Sequence, residues 1–294
     1  MSVPGSAVSL GLDRCEPERD RDGVLEELRA DPGTRVVVVR GDALAVRDAA
    51  LWRVPATSVD GAEWAFLGRD PAGTALLVAV VDAEAQPPAG SSWAPLRIVG
   101  GELSEADADI AATAVSLARW LVDAAFCPNC GTHADLAQAG WSRHCPSCGR
   151  IHFPRTDPAV IVAIEDESGE HLLLGANAAW PQGRYSCFAG FVEAGESLES
   201  AVAREVYEEA GVLVRAVRYR GSQPWPYPRS LMLGFRAVAD PARAAHADGE
   251  EIAEVRWFTR AQIGAALDGA GEVTLPGPSS IAHRLIVEWL GTPA

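Results

Sequence analysis

Gly190-Phe-Val-Glu-Ala-Gly-Glu196-Ser-Leu-Glu-Ser-Ala-Val-Ala-Arg204-Glu205-Val206-Tyr207-Glu208-Glu209-Ala210-Gly211-Val212 is the stretch on which the fold and the chemistry of this chain turn. From Ser197 onward small and apolar residues recur at helical spacing, and the pattern stops at Gly211, the residue type that most easily takes the left-handed position closing a helix. Glu205, Glu208 and Glu209 stand at i, i+3 and i+4. Their carboxylates therefore crowd one helix face, where mutual repulsion disfavours all three being ionised without a cation. Mg2+ and Mn2+ are hard ions that take oxygen ligands and recruit substrate phosphates, so this face beside Gly-rich turns points to phosphoryl or pyrophosphoryl chemistry. The competing reading is an ordinary solvated acidic face. Arg204 within the cluster and the bracketing Gly190, Gly195 and Gly211 weigh against it.

Every fixed position of this stretch matches the Nudix hydrolase signature, GX5EX7REUXEEXGU with U aliphatic, which it resembles without a gap. The resemblance implies a loop-helix-loop on an α/β/α sandwich with a mixed sheet, and glutamates that hold the divalent ions used to cut a diphosphate linked to another moiety. It casts Glu205, Glu208 and Glu209 as metal ligands and catalytic residues, Glu208 also assisting deprotonation, and Arg204 as the group that orients the carboxylates.

Beyond the box lies Ser222-Gln223-Pro224-Trp225-Pro226-Tyr227-Pro228-Arg229-Ser230. Prolines alternating with aromatics make a stiff loop offering flat faces for stacking and a glutamine for recognition; taken alone it also fits a structural turn. After a Nudix box it is similar to the SQPWPFPXS element of the NADH pyrophosphatase branch, with Tyr227 in place of Phe. That resemblance implies a dinucleotide site contacted by residues Gln223 to Ser230.

Cys127-Pro-Asn-Cys130 and Cys145-Pro-Ser-Cys148 are two CxxC knuckles separated by fourteen residues. Four thiolates at this spacing suit a tetrahedral structural Zn2+, and a complete sulfur shell leaves no position for a catalytic water. Paired disulfides are the alternative, but nothing else in the chain looks secreted. Cys15 and Cys187 have no partner pattern and read as ordinary small residues.

All 25 basic residues are arginine. Without lysine, a P-loop and Schiff-base catalysis are excluded, leaving metal and arginine to meet phosphate charge. A net charge of −15 speaks against a general nucleic-acid-binding surface. The segment Met1–Leu12 has no basic n-region or long apolar run, and no stretch reaches the length of a membrane span, so a cytoplasmic protein that does not engage the membrane is expected.

Punctuation by Gly and Pro divides the chain into an N-terminal α+β domain at 1–125, a zinc ribbon at 126–154 and a catalytic domain at 155–294. In the first, strands are expected at Arg35 to Arg40, Trp64 to Leu67 and Ala75 to Val81, then a long helix opened by a Ser104-Glu-Ala-Asp capping box. Trp64 and Trp120 read as core. The catalytic domain should hold strands at Val160 to Ile164, His171 to Leu174, Leu231 to Ala239 and Val255 to Phe258, and a terminal helix from Ser280 to Leu290.

Ribbon, box and proline-aromatic element follow one another as in bacterial NADH pyrophosphatases, while the N-terminal third matches them loosely. By that resemblance the Ala189 carbonyl is a further metal ligand, and Glu251 is the late acidic ligand, with Glu250 and Glu254 as neighbouring candidates. Phe153 and Ala282 become substrate contacts, though Phe153 fits a core position equally. A homodimer is implied as well. The function expected is Mg2+- or Mn2+-dependent hydrolysis of NADH and NAD+ to nicotinamide mononucleotide and AMP, extending to removal of NAD caps from RNA 5′ ends. The alternatives are a Nudix hydrolase acting mainly on ADP-ribose or other dinucleotides, and a nucleotide-sensing regulator without turnover.

Overall fold

Val160, Val162 and Ile164 pack into one apolar cluster while Ile161 and Ala163 pack into another, the alternation of a strand buried on both faces. The computed structural model in which this is seen describes residues 11–60, 63–240 and 244–292. Most of the N-terminal segment tested above for a signal peptide lies outside the described residues. The chain forms two compact units, Met1–Arg155 and Thr156–Ala294.

The first unit contains helices α1 (Glu16–Arg19), α2 (Val24–Ala30), α3 (Leu96–Val99) and α4 (Glu105–Asp123). Its strands are β1 (Arg35–Arg40), β2 (Ala43–Arg47), β3 (Ala50–Leu51), β4 (Arg53–Pro55), β5 (Glu63–Arg69), β6 (Ala75–Val80) and β7 (Ser92–Pro95). They make one sheet in the order β3-β2-β1-β6-β5, with β4 on β1 and β7 on β2, and only β1 and β6 run parallel. Helix α4 buries Ile110, Ala111, Ala114, Val115, Leu117, Ala118 and Leu121. Ser104 caps it, accepting from the Asp107 backbone N–H at 3.1 Å. The reciprocal half of the capping box is diverted, because the Asp107 carboxylate instead binds the Leu51 backbone N–H and Arg53. Trp64 is buried; Trp120 is half-buried, its ring 5.6 Å beneath the Arg143 guanidinium.

Three short strands, β8 (Asp135–Ala137), β9 (Ser142–His144) and β10 (Ile151–His152), carry the cysteine knuckles. Arg143, 2 % exposed, anchors them to the end of α4 by donating to the carbonyls of Ala134 at 2.9 Å and Leu121 at 2.7 Å.

The second unit holds β11 (Asp157–Glu165), β12 (His171–Asn177), β13 (Phe188–Phe191), helix α5 (Leu198–Ala210), β14 (Val214–Trp225), β15 (Ser230–Ala239), β16 (Ile252–Thr259) and helices α6 (Arg260–Leu267) and α7 (Ile281–Gly291). Strand order is β14-β15-β11-β12-β16, with β13 on β11; the β11–β15 pair is parallel and the rest antiparallel. Val202, Val206 and Ala210 of α5 cover one face with Phe188 and Phe235, while Ile263 of α6 and Leu285, Ile286 and Trp289 of α7 cover the other. This is the three-layer α/β/α sandwich with a mixed sheet that the sequence predicted.

One expected loop is not a loop. Ser222 to Trp225 form the end of β14, paired with Leu233 to Ser230, and the turn is confined to Pro226–Arg229. Pro224 is tolerated there because β14 is the sheet edge, where a missing N–H breaks no interior ladder.

Candidate active site

Helix α5 begins at Ser197, whose hydroxyl accepts from the Ser200 N–H at 3.2 Å, and ends at Gly211 with φ of 66°. These caps set which residues face the sheet. Glu209, in the last turn, is 5 % exposed. Burial pushes its carboxyl up to about 8, and repulsion from Glu205, Glu251, Asp248 and Glu208 adds to the rise. Glu205 is raised in the same sense, first by burial.

Arg204 organises the edge of this cluster. Its Nε and Nη2 donate to the two oxygens of Glu196 at 2.9 and 2.8 Å, its Nη1 to Glu205 at 2.8 Å and Glu208 at 3.0 Å, and its Nη2 also to the Phe191 carbonyl at 3.0 Å. The conspicuous Glu196 of the sequence stretch thus serves as the fork that aims Arg204, and the guanidinium holds the Glu196 carboxyl below the ordinary range. Gly190 on β13 has an equally direct reason. A Cβ at that position would stand 2.0 Å from Glu205 Cδ, so only glycine lets this carboxylate reach the strand.

Of the three late acids, Glu251 is the one whose charge reaches both Glu205 and Glu209. Its carbonyl accepts from the Ala178 N–H at 2.8 Å, and it lines the same cavity as Glu209 and Ala189. Glu254 points elsewhere, toward Tyr185 and Arg256, and Glu250 is exposed. Asp248 joins the cluster unannounced by any motif; its Oδ1 accepts from the N–H groups of Glu250 at 3.0 Å and Ile252 at 2.9 Å, folding the loop that presents Glu251.

A buried carboxyl surrounded by four others, with Arg204 engaged at the rim, is a donor set suited to divalent hard cations. The glutamate oxygens do not converge as the cysteines do: among the described residues the four thiols alone gather three or more candidate donor atoms within 4.8 Å. Arg204 accounts for the difference, occupying oxygens of Glu205 and Glu208.

The cavity beside Glu209 measures about 230 Å³. Asn177, Trp180, Ser186 and Cys187 line one side, and Gln223, Trp225, Met232 and Ala282 another. Gln223 does not point free into it. Its Oε1 accepts from the Ile281 N–H at 2.7 Å and its Nε2 donates to the Ser279 carbonyl at 2.8 Å, so it fixes the start of α7 and with it Ala282. Trp225 stacks edge-on to Tyr227 at 5.0 Å. The other residues of the proline-aromatic element do not line the cavity: Ser230 and Pro226 are buried in the hairpin, Pro224 and Pro228 are exposed, and Arg229 pairs with Asp157 at 2.8 Å. Phe153 belongs to the first unit, exposed, with the Arg155 guanidinium 5.6 Å above its ring. Cys187 is a buried thiol that burial pushes up to about 12, away from the reactive thiolate. Trp180, half-exposed under Arg184 at 4.9 Å, was missed because it stands in no motif.

In the ribbon, Cys127 Sγ lies 3.7 Å from Cys148 Sγ and Cys130 Sγ 3.5 Å from Cys145 Sγ. Sulfurs at about 2.3 Å from a tetrahedral zinc lie about 3.8 Å apart, so the four free thiols fit Zn2+. Thr132, through its hydroxyl and backbone, draws the Cys130 thiol down to about 6, toward the thiolate that a metal takes.

Comparison with known proteins gives three consecutive matches: a NUDIX domain over residues 155–274, an NADH pyrophosphatase zinc ribbon domain over 123–153 and an NADH pyrophosphatase-like rudimentary NUDIX domain over 16–120. The chain is 40 % identical to the NAD-capped RNA hydrolase NudC of Mycobacterium tuberculosis (strain H37Rv) over 272 residues, covering 89 % of this chain and 85 % of that one. The same figures hold for NudC of Mycobacterium bovis (strain BCG / Pasteur 1173P2). With human NAD-capped RNA hydrolase NUDT12 the identity is 39 % over 199 residues, 64 % of this chain and 43 % of that one.

Proposed function

The chain belongs to the Nudix hydrolase family, in its NADH pyrophosphatase branch, and from this we propose that it hydrolyses the pyrophosphate bond of NADH and NAD+, and of NAD caps on RNA 5′ ends, yielding nicotinamide mononucleotide and AMP or its RNA-linked equivalent. The observation that carries the reading is the meeting of two motifs at one cavity: Glu209 and Glu251 on one wall, Gln223 and Trp225 on another.

Glu205, Glu208, Glu209, Glu251 and the Ala189 carbonyl would hold Mg2+ or Mn2+. Bound there, the ions offset pyrophosphate charge and acidify the attacking water. Arg204 gathers Glu205 and Glu208 on one guanidinium, and bound metal ions would draw their oxygens from it. Glu208 is the more exposed of the two, with 56 % of its side chain accessible against 13 % for Glu205, and it is the carboxylate free to accept a proton from water. At about 230 Å³ the cavity is smaller than the roughly 300–1,000 Å³ that encloses a whole drug-sized ligand, so it takes one end of a dinucleotide and leaves the rest outside. Trp225 offers that end an aromatic face, and Gln223 sets the position of Ala282 opposite.

Zn2+ on Cys127, Cys130, Cys145 and Cys148 is structural, a full sulfur shell with no open position. The reading includes a homodimer working in the cytoplasm. Light scattering tests the dimer. Steady-state rates for NADH, NAD+, ADP-ribose and NAD-capped RNA on one preparation test the substrate: kcat/KM highest for the NAD-containing molecules is expected, and a preference for ADP-ribose would redirect the reading.

A further inference from the structure

Eleven arginines face nineteen acidic residues between 156 and 294, yet five of the eleven, Arg215, Arg218, Arg220, Arg236 and Arg284, gather on or beside the β14–β15 edge. Three are neutralised: Arg215 by Glu167, Arg220 by Glu288 and Arg236 by Glu165. Arg218 and Arg284 are exposed and have no ion-pair partner among the described residues. Arg218 stands directly opposite Arg236 in the ladder, whose own charge Glu165 already meets.

The Arg284 guanidinium lies close to the strand at Gly221. Gly221 lies beneath it, where a Cβ would stand 3.0 Å from its Nη2. From Gly221 the strand runs directly into Gln223 and Trp225 at the cavity, and the Arg284 N–H donates to the Ser280 carbonyl at 3.3 Å, one helical turn from Ser280 and Ala282 on the cavity wall. Arg218 is three residues further out, but a bulge between Tyr219 and Gly221 sets this stretch against only two residues of β15, Gly234 to Arg236, about 7 Å at about 3.3 Å per residue. Two stacked nucleotides cover that length at about 3.4 Å each.

We infer that the β14 edge is the track for the RNA body of an NAD-capped transcript, with Arg284 and Arg218 holding the first phosphates after the cap. The inference rests on the proposed reading of the cavity as the dinucleotide site. In such an RNA the adenosine ribose continues into a chain carrying one negative charge per nucleotide, and the cavity has room for only one end of the cap. A polyanion leaving a unit with this acidic excess meets repulsion in most directions, and the two unpaired guanidiniums offer it a favourable path.

The test uses full-length protein and compares NADH, an NAD cap followed by a single nucleotide, and an NAD-capped RNA of about twenty nucleotides. Arg218→Gln with Arg284→Gln should lower kcat/KM for the long RNA about tenfold and leave NADH and the single-nucleotide substrate within about twofold. The dependence of log kcat/KM on log salt for the long RNA should become shallower by about 1.4, two single-strand phosphate contacts at about 0.7 each. Arg218→Lys with Arg284→Lys should restore most of the loss, since a point charge serves a phosphate. Unchanged cleavage of the long RNA, or a parallel fall with NADH, would overturn the track. If the wild-type protein cleaves none of the three substrates, the reading of the cavity fails; if it cleaves NADH and the RNA and the variants do not separate them, the track alone fails.

Discussion

The side-chain amide of Gln223 closes on the start of helix α7, accepting from the Ile281 N–H at 2.7 Å and donating to the carbonyl of Ser279 at 2.8 Å. A residue expected to touch substrate thus spends both ends of its amide on the protein. Gln223→Ala leaves an N–H and a carbonyl without partners, a loss of about 1–3 kcal/mol in denaturant unfolding. Because α7 carries Ala282 on the cavity wall, KM for NADH should rise several-fold with kcat changing less; an unchanged KM would show that α7 needs no such clamp.

Gly190→Ala places a methyl group 2.0 Å from the Glu205 carboxyl carbon. Either β13 or the side chain must shift, and a displacement of about 1 Å at a catalytic group costs on the order of a hundredfold in rate. The expected outcome is a folded protein that needs more Mg2+ for half-maximal activity and turns over far more slowly. A metal titration with wild-type parameters would contradict the close packing.

In the metal-free protein Glu209 keeps its proton up to about 8, against 4.5 for an ordinary glutamate. Between those values the folded state binds more protons than the unfolded one. Stability in EDTA should therefore be full at the acid end of this window and decline as pH rises through it. Saturating Mg2+ should flatten that decline. Melting temperatures across pH 5 to 8.5, with and without metal, check the sign; a rise in EDTA would contradict it.

Zinc should govern stability and not the chemical step. Elemental analysis should find about one zinc per chain, and Cys145→Ser should give a poorly soluble or thermally weakened protein whose folded fraction retains its Mg2+ dependence. A zinc-free preparation with an unchanged melting temperature would overturn the structural assignment.

The sequence made α5, its caps and its acidic face legible, because local spacing alone decides which residues share a helix face. The cysteine knuckles were legible for the same reason. What it concealed depended on contacts remote in the chain. Glu251 separates from Glu250 and Glu254 only when β16 pairs with β12 and the Asp248 turn is folded. The Gln223 clamp needs a partner 58 residues away. The proline-aromatic element read as a loop because its prolines obscure a strand that only an edge position permits.

Pyrophosphate hydrolysis by the α5 carboxylates is settled by resolving the products of NADH turnover for the wild-type protein and for Glu208→Gln in saturating Mg2+. The wild type should release reduced nicotinamide mononucleotide and AMP in equal amounts. Glu208→Gln, with an unchanged melting temperature, should release the same products about a hundredfold more slowly, or slower still. Cleavage at any bond other than the pyrophosphate, or near-normal turnover by Glu208→Gln, would contradict this chemistry.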